Sequence, residues 1–229
     1  MDWIQNIDNE LILAFNSNGN PVWDVFWWIY TSAYAWIPLA FVLLFYICYF
    51  QIRNSVKSNQ KEAWKQVAFA TLAFAFMFLL CDQIPASVIK PLVARLRPSH
   101  NPDLMGRLTL INGYTGGLFG FPSNHACNDF GCAMLLTLFF RRWKTSCVTF
   151  LWAVGSCYSR MYLGVHYPTD ILVGALLGVL LAFIVYRLYR KMGGNPTEYR
   201  HDEPWWITIV FLLTIITILI ISIFYENFI

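Results

Sequence analysis

The chain has 229 residues, 58% of them hydrophobic and 13% charged, with 10 Trp, 12 Tyr, 19 Phe and a formal net charge of +3. That is a membrane composition, not a soluble one, and the charge is too small to point to nucleic acid. A helix of about 20 apolar residues crosses the hydrocarbon core. The length leaves room for about six, so the expected fold class is all-α: a polytopic membrane bundle of about six transmembrane helices.

Residues 1–22 are too short and too polar to span. Ile4, Ile7, Leu11 and Phe15 recur at helical spacing with Asp2, Asp8 and Glu10 off the stripe. The pattern predicts an interfacial amphipathic helix, followed by a turn over Asn16 to Pro21. Residues 23–229 read as a single transmembrane domain. Its first span runs from about Val25 to Phe50, kinked at Pro38, with Trp and Tyr crowded near its start as in an interfacial belt. The second runs from about Trp64 to Ile89 and is interrupted by Pro85. A polar, glycine-rich loop follows over 98–122. The third span starts near Pro122 and ends before Arg141. The fourth runs from about Cys147 to Tyr162, the fifth from Pro168 to Tyr189, and the sixth from Trp205 to Tyr225. Gly174 and Gly178 give the fifth a face of small residues for close helix packing. Cys48, Cys81, Cys127, Cys132, Cys147 and Cys157 lie in or beside apolar runs and read as small core residues, not as disulfides or a zinc site. No Lys or Arg precedes Arg53, so no cleavable signal peptide is expected.

The cations sort by loop. Arg53, Lys57, Lys61 and Lys65, then Arg141, Arg142 and Lys144, then Arg187, Arg190, Lys191 and Arg200 share one side if the spans are right, and that side is expected to be cytoplasmic. Lys90, Arg95, Arg97, Arg107 and Arg160 fall on the other side. Four of them flank apolar segments, where an unpaired cation is costly, and a bound anion would account for them.

Three stretches on that outer side carry chemistry. In Lys90 to Pro98, Lys90 and Arg97 stand seven apart, two turns along one helix face, so both side chains reach toward one phosphate. Arg95 points elsewhere and is expected only to snorkel. In Gly120 to Ala126, the free N–H groups of a helix start and the Ser123 hydroxyl make an oxyanion cradle, and His125 is placed to protonate a leaving oxygen. In Ser159 to Asp170, Pro168 and Thr169 open a helix with His166 just before Asp170. The carboxylate then accepts from one imidazole nitrogen and leaves the other as a nucleophile, with Arg160 holding an anion against it. Alone, this His-x3-Asp would read as a capped polar loop. The basic stretches upstream overturn that reading.

Together these read Lys-x6-Arg-Pro, Pro-Ser-Asn-His and Ser-Arg-x5-His-x3-Asp, in order from Lys90 to Asp170. The pattern resembles the signature of the type 2 phosphatidic acid phosphatase superfamily, which also takes in vanadium haloperoxidases and glucose-6-phosphatase. One departure is Asn124, where the family usually has Gly; it keeps the backbone N–H and adds a side chain near the phosphate. The resemblance implies that His166 attacks phosphorus to give a phosphohistidine, oriented by Asp170. His125 protonates the leaving lipid oxygen and then helps water release phosphate. Lys90, Arg97, Ser123, Asn124 and Arg160 hold the oxyanions. No carboxylate cluster on that side suits Mg²⁺, so metal-independent chemistry without a cofactor is expected.

The function expected is hydrolysis of a lipid phosphate at the outer face of a bacterial-type cytoplasmic membrane. Undecaprenyl diphosphate, phosphatidylglycerol phosphate, phosphatidic acid and lipid A phosphates are the candidates. A phosphotransferase using the same site is an alternative. A transporter is disfavoured because the polar residues gather at helix ends and no inverted repeat is visible. Asp129 is read either as a partner that orients His125 or as a structurally paired acid. Asp82 is unassigned, with a structural pairing to a neighbouring helix as one reading, and His100 and His201 read as loop residues.

Overall fold

The structure, a computed structural model, describes residues 2–55, 60–194 and 205–226, with no side-chain description at 2, 50, 53–55 and 226. Lys57, Arg200 and His201 lie outside the described residues, as does the side chain of Arg53. Among the described residues the regular structure is helical: α1 (Asp2–Phe15), α2 (Pro21–Tyr30), α3 (Ile37–Ser55), α4 (Gln60–Gln83), α5 (Lys90–Val93), α6 (Asn124–Phe140), α7 (Trp143–Tyr162), α8 (Pro168–Lys191) and α9 (Trp205–Glu226). Three helical stretches are long and apolar enough to cross a membrane: Gln60–Val93, Pro168–Lys191 and Trp205–Tyr225. A bent pair, Pro21–Tyr30 with Ala33–Tyr49, adds a fourth if the two together form one span.

One expected break falls elsewhere. The first apolar run bends by 68° at Thr31 and Ser32, not at Pro38. Pro38 lies in the first turn of α3, where a missing N–H costs no hydrogen bond. The corner is held instead by the Trp36 indole, which donates to the Tyr30 carbonyl at 2.7 Å. Pro85 interrupts the second span, as expected, without ending it. The helix widens into a π segment over Ile84–Ile89 and continues as α5, a common way to absorb a missing donor and a ring clash. Ala94, in the left-handed region at φ 49°, then stops it, so Lys90 and Arg97 do not share a helix face.

The core is an aromatic and aliphatic cluster built on Phe139, Leu135, Met77, Tyr186 and Tyr189. Through it α6 lies directly against α8. A Cβ on Gly174 would stand 2.5 Å from the Ser123 carbonyl oxygen, so the small-residue face serves the contact the sequence suggests. Of the cysteines, Cys81, Cys127 and Cys157 are buried and Cys147 is exposed, so that last one is not a core residue. On α1, Trp3, Ile4, Ile7 and Leu11 face outward, while Ile12 and Asp8 are buried against the bundle.

Hydrogen bonds between elements mark two ends. Gln66 near the start of α4 donates to the carbonyl of Gly193 just past α8, and Arg141 at the end of α6 donates to Tyr186 on α8. At the other end, Asn124 opening α6 donates to Asp82 near the end of α4. The start of α8 and the loop before it lie at that same end, where the Ser123 N–H donates to the Asp170 carbonyl.

Candidate active site

His166 sits in the short connection between α7 and α8, fully buried. Gly164, at φ +70°, lets the chain leave α7 sharply, and Val165 N–H returns to the Arg160 carbonyl at 3.1 Å. Tyr167 and Pro168 open α8, with the Asp170 carboxylate accepting the Tyr167 N–H at 3.0 Å. The same carboxylate faces His166 Nδ1 at 3.4 Å, a long contact. On the other side of the ring, Nε2 lies 2.8 Å from Arg97 Nη1. Arg97 also donates to the Val165 carbonyl at 3.0 Å. Burial, reinforced by the charges of Arg97, Arg160 and Lys90, holds the His166 pKa well below its ordinary value, and a hydrogen bond to the Gly120 backbone opposes this.

The loop over 98–122 folds back onto the cations. Arg97 N–H donates to the Leu118 carbonyl, and Gly120 N–H to the Arg95 carbonyl. Gly116 packs so closely on Arg97 that a Cβ there would stand 3.3 Å from the guanidinium. At Gly120 a Cβ would lie 2.8 Å from the Asp170 carboxylate, so only glycine fits between the two stretches. Ser123 caps α6, fully buried, accepting the Ala126 N–H at 3.4 Å. That leaves the first N–H groups of α6 beside His125, which lies in the fields of Arg160, His166, Arg97 and Lys90.

Arg160 donates to the Thr31 hydroxyl at 3.0 Å and to the Tyr114 phenol at 3.1 Å. Burial alone would raise Tyr114, but the adjoining Arg160 brings its pKa below the ordinary value. The Nε atoms of Arg97 and Arg160 are both buried without a hydrogen-bond partner. Burial and the charge of Arg160 also disfavour the charged form of Arg97. Two buried guanidiniums with donors to spare form a site that favours an anion.

The structure therefore gathers Lys90, Arg97, Ser123, His125, Arg160, His166 and Asp170 at one end of the bundle. Asn124 departs from expectation: its side chain turns from the cradle to donate to the Asp82 carbonyl and carboxylate at 2.9 and 3.1 Å. Asp82 is thus the link to a neighbouring helix that the sequence suggested. Asp129 accepts from Ser156 at 2.5 Å, with no hydrogen bond to His125 among the described contacts. Arg95 does not snorkel; it is bound to Asp8 at 2.6 Å and Asp170 at 2.9 Å. Arg107 is exposed. Sequence spacing does not single out Thr31, Tyr114 and Asp8 for this site. Each lies far along the chain from its partner, and no spacing rule connects them.

A cavity of about 520 Å³ is lined by apolar side chains such as Leu43, Phe78 and Leu136, together with Thr31, His125, Asp129 and Ser156. Among the described residues, no group of three or more His, Cys, Asp or Glu is placed to hold a metal ion.

A model of the PAP2 superfamily matches residues 70–193. A lipid A 4'-phosphatase of Bacteroides thetaiotaomicron is 35% identical over 205 residues, covering 89% of this chain and 85% of the relative. One from Porphyromonas gingivalis is 32% identical, covering 82% and 75%. The fold is similar to the crystal structure of a transmembrane PAP2 type phosphatidylglycerolphosphate phosphatase from Bacillus subtilis, with a TM-score of 0.58, 22% identity, and coverage of 87% of this chain and 90% of that one.

Proposed function

The chain belongs to the PAP2 superfamily, and from that premise we propose that it is a multi-pass membrane phosphohydrolase acting on a lipid phosphate at the outer face of a bacterial-type cytoplasmic membrane. The observation that carries this reading is the pair of buried guanidiniums, each with an unpartnered Nε, beside a neutral His166. A phosphoryl group in transfer spreads charge over its equatorial oxygens, and fixed cations stabilise that charge. In this reading α2 with α3, α4 with α5, α6, α7, α8 and α9 make six crossings over 23–229, and α1 lies in the interface. The distribution of Lys and Arg supports a site on the non-cytoplasmic side.

The His166 Nε2 lone pair attacks phosphorus, and the bond from phosphorus to the lipid oxygen breaks. Once the substrate's phosphate offsets the surrounding cations, His125 takes up a proton from solvent and gives it to that oxygen, leaving a phosphohistidine; water then attacks, His125 takes its proton, and phosphate departs. Lys90, Arg97, Arg160, Ser123 and the N–H of Asn124 hold the oxyanions, and Asp170 accepts from Nδ1–H of His166. The apolar cavity beside His125 suits a hydrocarbon chain of the substrate. A phosphorylated glycolipid of the lipid A type leads the substrate class, because two relatives matched over most of their length carry that name.

A panel of lipid A, prenyl diphosphate, phosphatidylglycerol phosphate and phosphatidic acid, offered to wild-type and His166→Ala protein in detergent, tests the reading. Free phosphate from wild type alone is expected. Phosphate transferred to a second lipid without release would identify a phosphotransferase instead.

A further inference from the structure

We infer that Asp8, on the N-terminal helix outside the family-matched segment, is a positioning residue for the reaction: through Arg95 it holds Asp170 against His166. The inference rests on the function proposed above. Arg95 spends both ends of its fork. Nη1 donates to the Thr169 hydroxyl at 2.6 Å and to Asp170 Oδ1 at 2.9 Å. Nη2 donates to Gln5 at 3.0 Å and to Asp8 Oδ2 at 2.6 Å. The guanidinium also lies 4.2 Å over the Tyr167 ring, which fixes its plane. Asp8 accepts the Thr169 hydroxyl and, at 3.3 Å, the Thr169 N–H.

Asp8 and Asp170 are 1% and 0% exposed, and they share this one guanidinium. With Oδ1 of Asp170 fixed by Arg95, Oδ2 is left for the Tyr167 N–H and for His166 Nδ1. The His166 contact is long at 3.4 Å, so a small rotation of the carboxylate decides whether it orients the ring. A planar, five-donor fork sets that rotation, and a Lys ammonium cannot. Asp8 and Arg95 meet Asp170 through the oxygen turned from His166, and they touch none of the cations assigned to the phosphate. Their loss is therefore expected in turnover, not in binding.

The test uses the full chain in detergent with a lipid phosphate that the wild type hydrolyses. Asp8→Asn and Arg95→Lys should each lower kcat by on the order of 10²-fold, the cost of slight misplacement of a reacting group. KM and competitive inhibition by inorganic phosphate should stay within about twofold. The double variant should lose little more than either single one, as members of one chain of contacts do. Glu10→Ala, on an exposed position of α1, should keep wild-type turnover. A wild type that releases no phosphate removes the functional reading. An active wild type with Asp8→Asn at full kcat removes only this inference. Parallel loss of turnover and phosphate inhibition, or failure of both single variants to fold, makes the contact merely structural and overturns it too.

Discussion

Arg97 Nη1 lies 2.8 Å from His166 Nε2, and the pair fixes the state of the ring. A guanidinium only donates, so Nε2 must be the accepting nitrogen and Nδ1 carries the proton toward Asp170. The lone pair that would attack phosphorus is thus occupied by a hydrogen bond from Arg97, which has to pass to a phosphate oxygen when substrate enters. Arg97→Ala is expected to lower kcat/KM by on the order of 10²- to 10³-fold, the scale for losing one oxyanion donor. Arg97→Lys should recover only part, since one ammonium replaces a planar fork. Steady-state phosphate release measures both.

Burial and three neighbouring cations keep His166 neutral. Its imidazole ¹⁵N signals should remain those of the Nδ1–H neutral ring at pH 5.5, where a free imidazole is mostly charged. The stability consequence has a definite sign. The unfolded chain binds a proton below the ordinary value of 6.5 while the folded state does not, so this group removes stability as pH falls below about 6.5. Denaturation midpoints from pH 8 to 5.5 should fall, and His166→Gln should flatten that slope.

Asn124 stands where the family resemblance leads one to expect glycine, and its amide holds Asp82. Asn124→Gly keeps the N–H at the start of α6 and frees Asp82. Turnover should change by less than about tenfold on any one substrate, while the ranking of lipid head groups shifts, because a freed carboxylate beside Lys90 changes local charge. Competition among the four lipid phosphates in one reaction reads that ranking.

Gly174 touches the Ser123 carbonyl. Gly174→Leu should force α6 from α8 and cost about 1–3 kcal/mol, the usual range for overpacking. It should also lower kcat, since Ser123 caps the helix that carries His125. Thermal unfolding in detergent and phosphate release, measured on the same sample, check both.

Chelation by EDTA should leave phosphate release unchanged, because the described oxyanion holders are guanidinium, ammonium, hydroxyl and N–H groups. Orthovanadate should inhibit competitively as a phosphate mimic, and His166→Ala should lose that inhibition.

Much of the site was legible because its residues lie in short linear stretches with their own chemistry. Lys90, Arg97, Ser123, His125, Arg160, His166 and Asp170 all stand in such stretches, although Lys90 and Arg97 come together without the shared helix face that their spacing suggests. What escaped depended on contacts across the chain. Arg95 looked like a surface cation because its partner Asp8 is 87 positions away. Asn124 looked like a phosphate neighbour because nothing local pointed it to Asp82. The helix limits followed hydropathy well at α8 and α9. The kink expected at Pro38 falls at Thr31 and Ser32 instead, since Pro38 sits harmlessly in a first turn, whereas Pro85 does interrupt the α-helix, as a π segment.

The corner at Thr31 has a consequence for reading tolerance to mutation in this protein. There the most aromatic stretch of the chain interrupts its helix and offers a hydroxyl to Arg160. A change such as Thr31→Val would leave hydropathy and span length intact, and an insertion assay would score it as silent. It would nonetheless strip a buried guanidinium of an acceptor. Fitness at this position should therefore track enzyme output, not membrane integration.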